Sequence, residues 1–295
     1  MVATNHIRNP VEWGADQVTA AAQAVLRAGR VVGRLSEAPA VPVPAVRRIA
    51  IDDIRDALAR GIADLGACRT DAMFLCLVYP VAGLVLARLA VGYDMLPLLF
   101  PLASGFALVG PVAAVGLYEL SRRREAGLPT APSDVFAVVR SPAFDRVAAL
   151  GLVLFAIFLA WIAAAYGIYL MTLGPEAPTT IGGFLREVFT TPAGWAMIVA
   201  GMGVGLLFAV VVLVIGTVSF PMLLDRDVGV ATAVATSIRA AAANPLPFTV
   251  WGMIIAGGLV IGTLPALIGL VIVMPVFGHA TWHLYRKLVP AGAGE

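Results

Sequence analysis

Long apolar runs, separated by short polar segments rich in arginine, constrain this chain more than any other feature of its sequence. A helix needs about 20 consecutive apolar residues to cross the hydrocarbon core of a bilayer. Four runs meet that requirement, at residues 72–91, 96–118, 147–172 and 194–220. Helices satisfy their own backbone polar groups inside lipid. The sequence therefore predicts an all-α protein that crosses a membrane several times.

The composition agrees with this prediction. Hydrophobic residues make up 60% of the chain and charged residues only 13%, whereas soluble domains carry about 25% charged residues. The formal net charge of +2 is too small to indicate nucleic-acid binding. We therefore expect the lipid bilayer as the main partner of the chain, and no nucleic acid.

The last apolar stretch, from residue 248 to about 282, is too long for one upright helix and slightly short for two. Thr263 and Pro265 interrupt it, and proline favours a break because it lacks an N–H and has a fixed φ. A single helix would place Arg286 and Lys287 on the side opposite to the other arginine-rich segments. We therefore predict two spans here, 248–263 and 266–284, and six spans in all.

The distribution of arginine predicts the orientation, because cytoplasmic loops carry an excess of basic residues. Nine arginines precede the first run and five lie between the second and third runs, whereas residues 173–193 contain only Arg186. We expect a multi-pass protein of a bacterial inner membrane with both termini in the cytoplasm. Residues 290–295 would form a short cytoplasmic tail.

Each predicted pair of spans follows a short segment with a charged face, at 51–69, 132–146 and 228–245. The fold is therefore predicted as three helical hairpins, each preceded by a short amphipathic interfacial helix. The apolar positions of the first segment recur at helical spacing; they are Ile51, Ile54, Leu58, Ile62 and Leu65.

Two of the hairpins also end alike. Pro111, Tyr118 and Arg122 have the same spacing as Pro275, Trp282 and Arg286. Internal repeats of this kind often enclose a site in membrane folds. The alternative is that any apolar hairpin with a basic exit looks similar.

Residues 1–48 are predicted as a separate cytoplasmic segment, before a membrane domain at 49–289. Asn9 and Pro10 have the residue types of a helix start, and a helix with an arginine-rich face would run to about Leu35. It would bind an anionic membrane surface or pack on another cytosolic segment, and both alternatives stay open. Residues 38–44 are a proline-rich linker.

Two histidines, His279 and His283, lie four residues apart at the end of the last predicted span and so share one helix face. They are weak candidates for a transition-metal site, which would need ligands from another segment. The alternative is an interfacial belt, in which Trp282 and Tyr285 contact headgroups and the histidines contact lipid phosphates. We expect the belt, and no metal or other cofactor.

Ionisable residues in or beside spans are the other candidates, because charge is costly in a bilayer. Arg88 lies near the outer end of the first span and would reach the interface or pair with Asp94. Glu119 is predicted to form a solvated ion pair with the arginines that follow it. The segment from Asp225 through Arg226 to Asp227 is predicted as a tight capped turn.

Glycines in the fourth run suggest close helix packing. Gly201 and Gly205 lie four residues apart, with Gly203 between them. Small residues at this spacing let neighbouring helices approach each other.

Three segments resemble a known family. They are FPMLLDRDVG at 220–229, the Asn244-Pro245 pair, and GHATWHLYRKLV at 278–289. The chain is similar, from about residue 49 to 289, to the bacterial integral membrane family named domain of unknown function 2189. The resemblance implies a six-span layout and supplies no catalytic residue. It adds weight to five positions: Asp225, Arg226, His279, Trp282 and His283.

No nucleotide-binding loop, serine–histidine–acid set or zinc-peptidase motif is present in the sequence. We therefore predict a non-enzymatic protein, an accessory or assembly partner of a larger membrane complex. Its partner would be another membrane protein or a second copy of the chain. The alternative is a small-solute or ion transporter or channel, and the third hypothesis is a metal- or haem-binding redox protein.

Overall fold

The structure, a computed structural model, describes residues 44–67, 76–77, 80–85, 88, 96–108, 110–174 and 180–290. Every regular element within these residues is helical, which confirms the all-α prediction. The predicted N-terminal helix and most of the first predicted span lie outside the described residues, as do Cys68 and Asp94. The α-helices are α1 Ile51–Ala67, α2 Leu99–Leu108, α3 Gly110–Ala113, α4 Val115–Glu125, α5 Phe144–Thr172, α6 Ile181–Thr190, α7 Pro192–Asp225, α8 Val230–Ala243, α9 Pro245–Thr263 and α10 Leu270–Leu288.

Three described helices are long and apolar enough to cross a membrane: α5, α7 and α9. They correspond to the third, fourth and fifth predicted spans, and α7 continues five residues beyond the predicted end at 220, to Asp225. The described residues of the second predicted span, 96–118, are also helical: they comprise the 3-10 turn Leu96–Leu98 and the helices α2 and α3 and the start of α4.

The helical structure is interrupted between α9 and α10, at the position where Thr263 and Pro265 predict a break. Residues 264–269 form a turn in which Ala266 (φ 49°) and Leu267 (φ 69°) adopt the left-handed region. That conformation costs roughly 1–2 kcal/mol for each L-residue. The two helices then pack together, because a Cβ atom added at Gly258 would lie 2.3 Å from the ring of Phe277.

Residues 47–49 connect the start of α9 with the end of α10. The Arg47 N–H donates to the Leu288 carbonyl at 2.8 Å. The Ile49 N–H donates to Asn244 Oδ1 at 2.8 Å, and Asn244 Nδ2 donates to the Arg47 carbonyl at 3.1 Å. Asn244 and Leu288 therefore lie at the same end of the helix bundle.

Helix α1 packs along α10 in the opposite direction. Lys287 Nζ lies 3.1 Å from Asp53 Oδ1 and 2.8 Å from Asp56 Oδ2. Further along, a Cβ atom added at Gly61 would lie 2.7 Å from the backbone nitrogen of Ala280. The absence of a side chain at Gly61 thus allows close contact between the two helices.

The buried face of α1 differs from the predicted one. Ile54 and Leu65 are buried as predicted, but Ile62 is exposed. The buried side is narrower than the five apolar positions suggest, because α10 and α4 cover only one flank of the helix; its buried residues are Ile54, Ala57, Gly61, Asp64 and Leu65.

Helix α8 inserts a hydroxyl group into α7. Ser237 Oγ donates to the Val214 carbonyl at 2.6 Å and accepts from the Val218 N–H at 3.2 Å. The hydroxyl thereby bridges a carbonyl and an N–H four residues apart, one turn before Pro221, which itself lacks an N–H. This contact fixes α8 against the last third of α7.

Two of the three glycines for which the sequence predicts close packing have no described neighbour. Among the described residues, no atom lies within 4 Å of a Cβ added at Gly201 or Gly203. Only Gly205 is covered, by the ring of Trp161 at 3.0 Å. This part of α7 therefore faces away from the rest of the described bundle.

Candidate functional site

Asp64 lies at the centre of a buried polar cluster that joins α1, α4 and α10. Its Oδ2 atom accepts hydrogen bonds from Ser121 Oγ at 2.6 Å and from His283 Nε2 at 2.8 Å. Its Oδ1 atom accepts from Arg124 at 2.7 Å. The side chain is only 8% exposed. All these contacts suit an ionised carboxylate, which is a hydrogen-bond acceptor only.

The protonation state of Asp64 follows from these contacts. Burial raises the pKa of the carboxyl group, but hydrogen bonds from His283 and Ser121 and the nearby imidazole charges lower it. Together these lowering effects exceed the effect of burial, so the pKa lies below its ordinary value of 3.8. Asp64 is therefore ionised at neutral pH.

His279 extends the cluster into the bundle. Its Nδ1 atom lies 2.7 Å from Ser121 Oγ and 4.0 Å from Asp64 Oδ2. The side chain is fully buried, and its Nε2 atom has no hydrogen-bond partner among the described residues. We name Asp64, Ser121, Arg124, His279 and His283 the Asp64 cluster.

A second polar group continues from the Asp64 cluster towards the end of α7. Tyr285 donates its hydroxyl proton to Asp225 Oδ2 at 2.6 Å, and Arg286 contacts the same oxygen at 3.2 Å. Arg286 Nε also donates to Glu125 at 3.1 Å, and Trp282 Nε1 donates to Glu125 at 2.9 Å. These contacts connect α4, α7 and α10 at one end of the bundle, which we name the polar end.

The structure brings most of the predicted site residues to the polar end. His279 and His283 belong to the Asp64 cluster, and Trp282 and Asp225 to the second group. Arg226 lies beside them and donates to the Pro290 carbonyl at 2.7 Å. Arg88 is exposed and makes no described contact with either group.

The prediction of an interfacial belt is wrong. Trp282 is 1% exposed, and Tyr285 and His279 are fully buried. Their hydrogen-bond partners are side chains of α4 and α7 rather than lipid. Helix α1 covers another face of α10, where Gly61 closely approaches Ala280 and Asp64 contacts His283.

Two further predictions are correct only in part. A turn follows Asp225, but the N-cap of α8 is Gly229, which makes no side-chain capping bond; Asp227 pairs with Arg146 instead. Glu119 does pair with Arg122 at 2.7 Å, yet its side chain is 7% exposed, so the ion pair is not solvated on that side.

Three residues of the cluster were not predicted from the sequence: Asp64, Ser121 and Arg124. One signal for Asp64 was present, because it lies ten residues after Ile54 and three after Gly61, at the helical spacing of the buried face. Ser121 and Arg124 carry no comparable signal, since each follows from the contact of α4 with helices distant in the sequence.

The two histidines do not gather a set of metal ligands in the described part of the chain. No group of three histidine, cysteine, aspartate or glutamate residues there is arranged to hold a metal ion. His283 Nε2 donates a hydrogen bond to the Asp64 carboxylate. This nitrogen therefore carries a proton and has no lone pair for a metal ion.

The helices and their apolar surfaces define an integral membrane protein. Residues 99–225 match the model of the family described as predicted integral membrane protein (DUF2189), which confirms the resemblance over this segment. The matched segment runs from α2 to the end of α7, so the segment 278–289 lies outside it. No curated protein and no solved structure matches the chain.

Proposed function

We propose that this chain is a six-span protein of the bacterial inner membrane, with both termini in the cytoplasm. We further propose that it acts without catalysis, as an accessory or assembly partner of a larger membrane complex.

The contacts of residues 47–49 support two spans in the last apolar stretch. Asn244 at the start of α9 and Leu288 at the end of α10 both bond to this short segment. Helix α9 alone, with 19 residues, is about 28 Å long at 1.5 Å per residue. A continuous single span would separate the two ends by at least that distance, so these contacts support a return of α10 to the side where α9 begins.

The exposed surface of α7 is the observation that carries the proposed partner. Only 6% of the residues in its most apolar stretch are buried, against 28% in α5. Val199, Met202 and Leu206 are exposed there, and Gly201 and Gly203 have open space beside them. Small residues among apolar ones favour close helix contacts in membranes. This face of α7 is suited to a neighbouring transmembrane helix.

The buried polar side chains of the described residues give less support to a transporter or channel. The buried side chains that can carry a charge, Asp64, Glu119 and His279, all lie near the polar end, whereas the buried residues of α5 are apolar or aromatic. A path for a solute would need polar groups along the length of the bundle. The packing therefore favours the accessory role.

A photo-crosslinking experiment in native membranes tests the proposed partner. A crosslinking amino acid replaces Met202, which is 58% exposed on α7, or Leu152, which is 64% exposed on α5, as a matched control. We expect one defined protein adduct from position 202 and none from position 152. Lipid adducts alone at both positions would contradict the proposed interface.

A further inference from the structure

We propose that Asp64, Ser121 and His279 form a proton-binding site, which takes up one proton at Nε2 of His279. The site lies inside the Asp64 cluster, and no part of the proposed accessory role depends on it. The ligand is a single proton, and its uptake changes the charge of the cluster by one.

The positions of the protons in the cluster follow from its donors and acceptors. Asp64 is ionised, so the short contact with Ser121 Oγ requires the serine hydroxyl to donate to the carboxylate. A hydroxyl has only one proton, so Ser121 must accept from His279 in the 2.7 Å contact. His279 therefore carries a proton on Nδ1.

This assignment leaves a lone pair on the other ring nitrogen. A neutral imidazole holds one N–H, so Nε2 of His279 is the acceptor atom. It is buried and has no hydrogen-bond partner among the residues that the structure describes. A buried polar atom without a partner is costly.

One added proton would complete the network without breaking any bond. The ring becomes an imidazolium, which carries an N–H at both ring nitrogens. The Nδ1–H still donates to Ser121, and Ser121 still donates to Asp64. The positive charge is then balanced by the Asp64 carboxylate, 4.0 Å from Nδ1.

Three charged or titratable groups on three helices act on this site. Full burial of the His279 ring is the largest effect and opposes the imidazolium. Asp64 on α1 favours it, whereas His283 on α10 and Arg124 on α4 oppose it. His283 is 12% exposed and contacts the same oxygen of Asp64 as Ser121 does. The cluster therefore connects the partly exposed ring of His283 with the buried ring of His279 through two hydrogen-bonding side chains.

Nitrogen NMR on the full chain, with ¹⁵N-labelled histidine and in detergent micelles, tests the proposal. The chain has only three histidines, so the variants His6→Gln and His283→Gln assign the signals. We expect the Nδ1–H form of His279 at neutral pH and a doubly protonated ring at lower pH, while the protein is still folded. A neutral ring protonated on Nε2, or no titration before unfolding, would overturn the proposal.

A pair of serine variants tests the role of Ser121. Ser121→Ala removes the bridge between the ring and the carboxylate, so we expect the midpoint of the His279 titration to fall by about one pH unit. Ser219→Ala is the control, because Ser219 is also buried but donates only to the Ile215 carbonyl. Equal midpoints in both variants would refute the bridge. If Ser121→Ala does not fold, the protonated ring nitrogen of His279 in the wild type tests the bridge: a proton on Nδ1 supports it and a proton on Nε2 refutes it.

Discussion

The contact of α1 with α10 leads to a prediction that compares two glycines on one helix. Gly61 and Gly66 both belong to α1, but only Gly61 is covered. A Cβ added at Gly61 would lie 2.7 Å from the backbone nitrogen and 2.8 Å from the Cβ of Ala280, whereas a Cβ at Gly66 meets no atom within 4 Å. Gly61→Ala therefore forces the two helices apart, and Gly66→Ala does not.

The expected magnitudes follow from the two environments. Replacing a helical glycine by alanine stabilises the helix by roughly 0.5–1 kcal/mol, and this gain applies to both variants. Overpacking a close contact costs roughly 1–3 kcal/mol, and this cost applies only to Gly61→Ala. The free energies of unfolding of the two variants should therefore differ by about 1–3 kcal/mol, with Gly66→Ala at least as stable as the wild type.

Thermal unfolding of the purified protein in detergent measures this difference. For a chain of this size, 1 kcal/mol corresponds to roughly 2–4 °C in Tm. We expect Gly61→Ala to unfold several degrees below Gly66→Ala. Equal unfolding temperatures would show that α1 does not pack on α10 at Ala280, and the position of Asp64 would then be wrong as well.

Three further predictions concern polar contacts at the same end. Tyr285→Phe removes a hydrogen bond to a carboxylate and should lower the free energy of unfolding by roughly 1.5–3 kcal/mol, whereas Tyr166→Phe on the exposed side of α5 should change it little in the same denaturation assay. Lys287→Met removes both ion pairs with the aspartates of α1; because these groups are partly exposed, we expect a loss of at most about 1 kcal/mol that disappears in high salt. Asp64 has a pKa below 3.8, so its contribution to stability should be present above that pH and lost as the pH falls through the lower pKa of the folded state. Melting curves for Asp64→Asn, recorded as the pH is lowered, should lack this acid-dependent loss of stability. An identical loss in the variant would contradict the prediction.

Much of the fold follows from simple patterns. The apolar runs predict α5, α7 and α9 because about 20 apolar residues suffice to define a membrane helix. Pro265 predicts the break before α10, since proline cannot continue the hydrogen-bond ladder. The amphipathic segments before α5 and α9 contain helical turns, as the structure shows for Pro132–Arg140 and α8.

The candidate site could not be predicted in the same way. Hydropathy does not distinguish a side chain that faces lipid from one that faces another helix, so Trp282 and Tyr285 resembled an interfacial belt. Their hydrogen-bond partners lie on α4 and α7, which are 157 and 60 residues earlier in the chain. The partners of Asp64 likewise come from α4 and α10, and single-sequence periodicity contains no information about such contacts.

The similar ends of two hairpins have a packing explanation in the structure. The segment with Tyr118 and Arg122 lies against the segment with Trp282 and Arg286, because a Cβ added at Gly278 would lie 2.4 Å from Leu117. Both segments enclose the polar end. Their common spacing is consistent with an internal repeat and with two helices that end at the same polar layer.

Labelling of single cysteines in intact cells tests the proposed path of the chain most directly. In a background without Cys68 and Cys76, Leu264→Cys places a thiol in the exposed turn between α9 and α10, and Leu128→Cys places one in the exposed segment after α4. We predict that a membrane-impermeant maleimide labels position 264 in intact cells and position 128 only after permeabilisation. Labelling of position 128 from outside, or protection of position 264 before and after permeabilisation, would contradict six spans with the polar end in the cytoplasm.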